Sequence, residues 1–137
     1  MAFFTYDRIT QFSECDAAGV IHFSKIACFV EEAEHAFLFY AGYPIELFDP
    51  NAYCWPRVNY TASYTSPLLP FTKICVSLQP LQVGTSSVNW GWQITDLKQK
   101  NSFCEGEMKT VCCLRKNGKM ETNSLPDDLR IKLLSTR

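Results

Sequence analysis

ECDAAGVIHFSKIACFVEEAEHAF, residues Glu14–Phe37, holds the pattern that decides the fold. From Ser24 onward, Ile26, Phe29, Val30, Ala33, Phe37 and Tyr40 recur at three- and four-residue steps. Lys25, Glu31, Glu32 and Glu34 lie mostly off that stripe. Such spacing places the apolar side chains on one side of an α-helix, because residues three and four apart are neighbours on its surface. Ser24 is a candidate N-cap, and Gly42 sits where a left-handed residue ends a helix, so the spacing predicts one long helix stopping near Ala41. Upstream of it stands Asp16, among Cys15, Ala17 and Ala18, with Gly19 before an apolar Val20-Ile21.

On the N-terminal side, Phe3 to Phe12 alternates imperfectly and is rich in β formers, which predicts a first strand. On the C-terminal side, a loop with Pro44, Pro50 and Asn51 gives way to β-rich runs: WPRVNYTASYTS, KICVSLQPLQV, SSVNWGWQIT and SFCEGEMKTVCCLR. Gly84-Thr85, Lys100-Asn101 and Asn117-Gly118 separate them, as turns of an antiparallel meander would. Pro80 cannot donate to a ladder and predicts an edge or a bulge. LPDDLRIKLLS predicts a short final helix. The expected fold class is α+β, with one long helix packed on a curved antiparallel sheet.

The chain has 137 residues, which fit one domain with a sizeable core, here expected as residues 1–137. Its hydrophobic fraction is 47% and its aromatic fraction 14%, with ten Phe, so one subunit has more apolar surface than it readily buries. A homo-oligomer, dimer or tetramer, is the expected state. Thirteen basic and fourteen acidic residues give a net charge of −1, with no Lys/Arg block to follow a phosphate backbone, which argues against nucleic acid as a partner. The seven Cys form no C-x-x-C pair and no cluster with His, so no metal is expected. Asp7 and Arg8 interrupt what would be the apolar part of a signal peptide, and no apolar run reaches the ~18 residues of a membrane span. A cytoplasmic protein with reduced thiols and no membrane partner is expected.

The chemistry begins with Asp16. The first amides of a helix lack intrahelical acceptors, and the helix dipole favours negative charge there, so a carbonyl oxygen held at that end is polarised. Phe23 and Ser24 are the natural backbone donors. A carboxylate beside such a carbonyl could attack it or activate a water, the minimum for acyl transfer. Gly19 would let backbone and substrate approach closely. Asp is equally a common turn residue that ties down its own backbone, and the residues alone leave both roles open.

DAAGVIHFSKIACFVEEAE resembles the signature of hot-dog fold thioesterases of the 4-hydroxybenzoyl-CoA type, in which Asp-x-x-Gly precedes apolar residues and the long helix. WPRVNYTASYTSPLL is similar to their following strand, and EGEMKTVCCLRKNGKMETNSLP to their last strand and exit. Within the family, TYDR, DAAGVIHF and the spacing to Pro56 and Pro67 are most similar to cyanobacterial members acting on 1,4-dihydroxy-2-naphthoyl-CoA in phylloquinone synthesis. The resemblance implies an acyl-CoA thioesterase hydrolysing an aryl thioester. It implies no cofactor, since coenzyme A is part of the substrate, and sites at subunit interfaces. It implies Asp16 as nucleophile or general base and the Phe23 backbone N–H as donor to the thioester carbonyl. Some relatives carry His where Phe23 stands, whereas here the His is His22. The usual Gly-Asp after the Pro-Leu is replaced by LLPFT.

Other residues compete. His22 could orient substrate or move a proton, or simply be a satisfied polar group. Glu31 is the rival base, because a second hot-dog class uses a mid-helix Glu; its alternative is a structural or exposed carboxylate. His35 is expected to face solvent. Cys15 with His22 could form a thiol nucleophile, though a free Cys usually packs as a small hydrophobe. Cys112 and Cys113 are expected on opposite faces of one strand. Trp55, Trp90, Trp92, Phe71 and Tyr64 are candidates for core or interface, and Arg57, Lys73, Arg115, Lys116 and Lys119 for the coenzyme phosphates by charge alone. A generic short-chain or aromatic acyl-CoA thioesterase and a non-catalytic acyl-CoA or acyl-carrier binding module are the alternative functions. A hot-dog dehydratase is disfavoured, since no His stands at its expected position in the central helix.

Overall fold

The computed structural model describes residues 2–135. After β1 (Phe4–Ile9) and a 3₁₀ turn at Phe12–Glu14 comes α1 (Phe23–Tyr40), followed by β2 (Tyr53–Cys54), β3 (Arg57–Tyr64), β4 (Lys73–Val83), β5 (Ser87–Asp96) and β6 (Ser102–Val111). The chain finishes with β7 (Cys113–Lys116), β8 (Lys119–Thr122) and α2 (Asp127–Leu134). The five-stranded sheet has the order β1-β4-β5-β6-β3 with every pair antiparallel, and β2-β7-β8 form a second, three-stranded sheet. Only β4-β5-β6 is a meander; β1 and β3 reach the two edges from elsewhere in the chain, so the simple meander expected from the turn signals is corrected.

The helix packs across this sheet through the stripe the sequence predicts. Ile26, Phe29, Val30, Ala33, Phe37 and Leu38 are buried, whereas Tyr40, the last residue of the expected stripe, is exposed. Phe37 is a hub: its ring lies 5.2 Å from Phe3, 5.6 Å from Phe4 and 5.4 Å from Trp90, two of these contacts edge-on, the geometry aromatic quadrupoles favour. Strand β4 lies inside the sheet, between β1 and β5, and hides Ile74, Cys75, Val76 and Leu78 on both faces. Pro80 marks a bulge, since the β4–β5 register shifts between Pro80 and Gln82.

The helix ends as its glycine predicts. Gly42 has φ +94°, the Tyr43 N–H donates to the Leu38 carbonyl at 2.7 Å and the Gly42 N–H to the Phe39 carbonyl at 3.2 Å. This paired closure satisfies carbonyls that would otherwise lack partners, and only a left-handed residue permits it cheaply.

Trp55, Trp90 and Trp92 are core residues, but Phe71 and Tyr64 are exposed on this chain. Cys112 and Cys113 do not alternate across one strand: the chain breaks pairing between β6 and β7, and both thiols are buried. Burial pushes Cys112 up to about 12 and Cys113 above its ordinary value.

Candidate active site

The segment Cys15–Ile21 is a loop whose two arms run side by side. The His22 N–H donates to the Glu14 carbonyl at 2.9 Å, Cys15 and Ile21 form an isolated antiparallel bridge, and the Asp16 N–H donates to the Val20 carbonyl at 2.8 Å. At the tip, the Gly19 N–H donates to the Asp16 carbonyl at 3.0 Å, with Gly19 at φ +81°. A β-carbon there would be strained by the backbone rather than by any neighbour. The Ile21 N–H donates to the Leu68 carbonyl at 2.7 Å, which fastens the returning arm to the segment after β3. Asp16 is half-buried, and its Oδ1 accepts the Ala18 N–H at 2.8 Å. The turn role is therefore real. Among the described residues no hydrogen bond engages its other carboxylate oxygen.

The loop delivers the chain directly into α1. The N-cap is His22, not Ser24: at φ −63°, ψ 136°, its Nδ1 accepts the Ser24 N–H at 3.1 Å and lies 2.8 Å from Ser24 Oγ. An imidazole nitrogen carrying no proton does here what an Asn or Asp oxygen does at other caps. The His22 carbonyl accepts the Lys25 N–H at 2.9 Å. Phe23 is thus the first helical residue, and its amide has no acceptor among the described residues. Its side chain is 68% exposed and stacks on the His22 ring at 4.8 Å. Asp16, Gly19, His22 and Phe23 are brought together on one loop and one helix end. Cys15 does not join His22: its thiol donates to the Phe12 carbonyl at 3.0 Å.

A second polar cluster lies farther along α1. Glu34, which the stripe leaves mostly outside, is 1% exposed. Its Oε2 accepts from Trp90 Nε1 at 2.8 Å and from Thr110 Oγ1 at 2.7 Å, and its Oε1 pairs with Arg57. Burial raises its carboxyl above the usual range, against the pull of Arg57 and of the two hydrogen bonds. Arg57 also reaches Glu31 at 3.4 Å and lies 3.2 Å from His35 Nε2. The rival base Glu31 is consequently an ion-paired, half-exposed carboxylate. His35 does not face solvent as expected; it is half-buried, and burial, then Arg57, hold its imidazole below the usual value. The expectation that Glu34 lies off the stripe is thus corrected, and its spacing carried the signal: it is four residues after Val30 and three before Phe37.

Among the coenzyme candidates, Arg57 is thus engaged by carboxylates and Arg115 donates to the Leu47 carbonyl at 3.2 Å. Lys73, Lys116 and Lys119 are exposed. Tyr60 stacks flat on Trp92 at 5.7 Å, and burial raises its phenol.

No family model matches the chain. A 1,4-dihydroxy-2-naphthoyl-CoA hydrolase of Nostoc punctiforme is 27% identical over 93 residues, 67% of this chain and 63% of that protein's length. The crystal structure of a 1,4-dihydroxy-2-naphthoyl-CoA thioesterase from Synechocystis matches with a TM-score of 0.79 at 18% identity, covering 95% of this chain and 94% of that one. A gentisyl-coenzyme A thioesterase gives 0.82 at 22% identity, covering 94% and 98%. The chain has the hot-dog fold of these structures. Its hot-dog helix is α1, and the Asp16 loop feeds that helix's N-terminus. Among the described residues of this hot-dog chain, no helix is long and apolar enough to cross a membrane.

Proposed function

We propose that the chain is a cytoplasmic acyl-CoA thioesterase that hydrolyses an aryl thioester, 1,4-dihydroxy-2-naphthoyl-CoA, to 1,4-dihydroxy-2-naphthoate and coenzyme A in phylloquinone biosynthesis. The observation that carries this reading is the Phe23 amide, the first of α1 and without an acceptor among the described residues, at the end of the loop that bears Asp16. The relatives named for aryl-CoA hydrolysis support the substrate class.

In the proposed mechanism the thioester carbonyl oxygen accepts the Phe23 N–H at the positive end of the helix dipole. That end stabilises the oxyanion as the tetrahedral intermediate forms. The Asp16 carboxylate either attacks the carbonyl carbon, giving a mixed anhydride that water then opens, or removes a proton from the water that attacks. In both routes the C–S bond breaks, the thiolate leaves as coenzyme A and takes up a proton, and the acid departs as carboxylate. Gly19 shapes the turn and His22 fixes the helix start through its cap. No step calls on a cofactor.

The working unit is proposed to be a dimer or tetramer with sites between subunits. Strand β3 is a sheet edge and carries exposed Val58, Tyr60 and Tyr64, and Phe12 and Phe23 are exposed beside the candidate site. The Oδ1 bond to Ala18 favours one competing reading, a binding module in which Asp16 only shapes the loop.

The decisive assay is hydrolysis of a panel of aryl and alkyl acyl-CoAs by the purified protein. Aryl thioesters should be turned over far faster, because each ring stack adds roughly 0.5–1.5 kcal/mol beyond burial. Equal rates on naphthoyl-CoA and palmitoyl-CoA would remove the aryl assignment, and no hydrolysis of any thioester would leave the binding module.

A further inference from the structure

We infer that Arg8 is a positioning residue that fixes Asp16 relative to the Phe23 amide; the inference rests on the thioesterase function proposed above. Arg8 stands in β1, and its side chain is only 14% exposed. Its Nη2 donates to both oxygens of Glu14, at 3.0 and 2.8 Å, and its Nη1 to both oxygens of Glu32, at 3.2 Å each. The guanidinium carbon lies 4.0 Å from the centre of the Phe29 ring, and Tyr6 Oη donates to Glu32 at 3.1 Å. One planar cation thus joins three elements: the sheet through its own strand, the body of α1 through Glu32 and Phe29, and the entrance of the Asp16 loop through Glu14.

Glu14 passes the constraint on. Its Oε1 also accepts the Gln11 N–H at 2.7 Å, which locks the 3₁₀ turn, and its carbonyl accepts the N–H of the cap residue His22. Asp16 follows Glu14 by two positions in the same paired arm, and Phe23 follows His22 by one. The separation of carboxylate and amide is therefore set by a pair that Arg8 holds rigid. A lysine would keep the charge but not the bridge, since its single ammonium nitrogen cannot stand against both carboxylates as the two terminal nitrogens of the guanidinium do, one on Glu14 and one on Glu32. Without the bridge, Glu14 and Glu32 are no longer held together and the loop shifts. A misplacement of about 1 Å is enough to cost about 100-fold in rate.

The test is Arg8→Lys measured in two backgrounds, wild type and Asp16→Asn, together with hydrogen exchange of the loop amides. In the wild-type background kcat should fall roughly 10- to 100-fold with KM little changed. In the Asp16→Asn background the residual rate should stay within about 2-fold, because the two residues act through one position. Exchange at Asp16, Ala18 and His22 should rise while β4 and β5 remain protected. Arg8→Gln should behave as Arg8→Lys but with a larger loss; if it does not fold, the Lys variant still decides. Wild-type kcat in Arg8→Lys, or an equal fall in both backgrounds, overturns the inference. A wild-type protein that hydrolyses no thioester refutes the function itself, whereas an active wild type with an equally active Arg8→Lys refutes only the role of Arg8.

Discussion

Phe23→Pro isolates the backbone donor from everything around it. Proline at the first helical position has the φ a helix needs and sacrifices an N–H that has no intrahelical acceptor. The residue before a proline is pushed to extended backbone, and His22 already lies there, at φ −63°, ψ 136°. No hydrogen bond among the described residues is lost with that amide. The phenyl ring is 68% exposed and stacks on His22, so Phe23→Ala supplies the control that removes the ring and keeps the N–H. Loss of one donor to an oxyanion costs about 2.7–4 kcal/mol of transition-state stabilisation, or about 10²–10³ in kcat. The measurement is steady-state hydrolysis of an aryl-CoA by both variants, with thermal unfolding to confirm that each is folded. Phe23→Pro should lose that factor relative to Phe23→Ala at similar Tm. A folded Phe23→Pro as fast as Phe23→Ala would show that the amide does not hold the carbonyl.

Glu34→Leu should destabilise the protein by about 3–5 kcal/mol in denaturant unfolding, because it takes from Arg57 the buried one of its two carboxylates and leaves the Trp90 and Thr110 donors unpaired; a loss below about 1 kcal/mol would mean that the cluster contributes little. His35 carries a sign for pH: its folded imidazole sits below the ordinary 6.5, so as pH falls through 6.5 the unfolded chain binds a proton that the folded chain refuses, and stability drops. Glu34, held above 4.5 by burial, acts in the opposite sense in acid, so the His35 effect is read as the difference between wild type and His35→Gln from about pH 7.5 to 5.5; identical profiles would contradict it. Light scattering should give a multiple of the 15.7 kDa chain mass, and a stable monomer at micromolar concentration would contradict the shared sites.

What was legible in the sequence depended on how local its cause was. The long helix, its glycine stop, the Pro80 bulge and the limits of β4 follow from periodicity and from residues with restricted backbones, and the structure repeats them. The second sheet was not legible, since β2 is two residues long and β8 four, too short to carry an alternation. The cap was misplaced because Ser24 is the commoner cap type, whereas His22 takes the role once the loop places its ring over the Ser24 amide. The site loop was visible as Asp16, Gly19 and Phe23, but the groups that hold it were not. Arg8 meets Glu32 across 24 residues, and Glu34 meets Thr110 across 76, distances at which no local pattern reports a contact.

The most direct test is the pair Asp16→Asn and Glu31→Gln, assayed side by side for aryl-CoA hydrolysis. Asn keeps the turn bond to Ala18 and the fold while removing the charge and basicity, so Asp16→Asn should lower kcat by roughly two to four orders of magnitude with KM little changed. Glu31→Gln, which loosens only a half-exposed pair with Arg57, should retain most of the activity. An Asp16→Asn protein that retains its rate while Glu31→Gln loses it would move catalysis onto the helix, and activity surviving both changes would leave Asp16 as no more than the residue that shapes its turn.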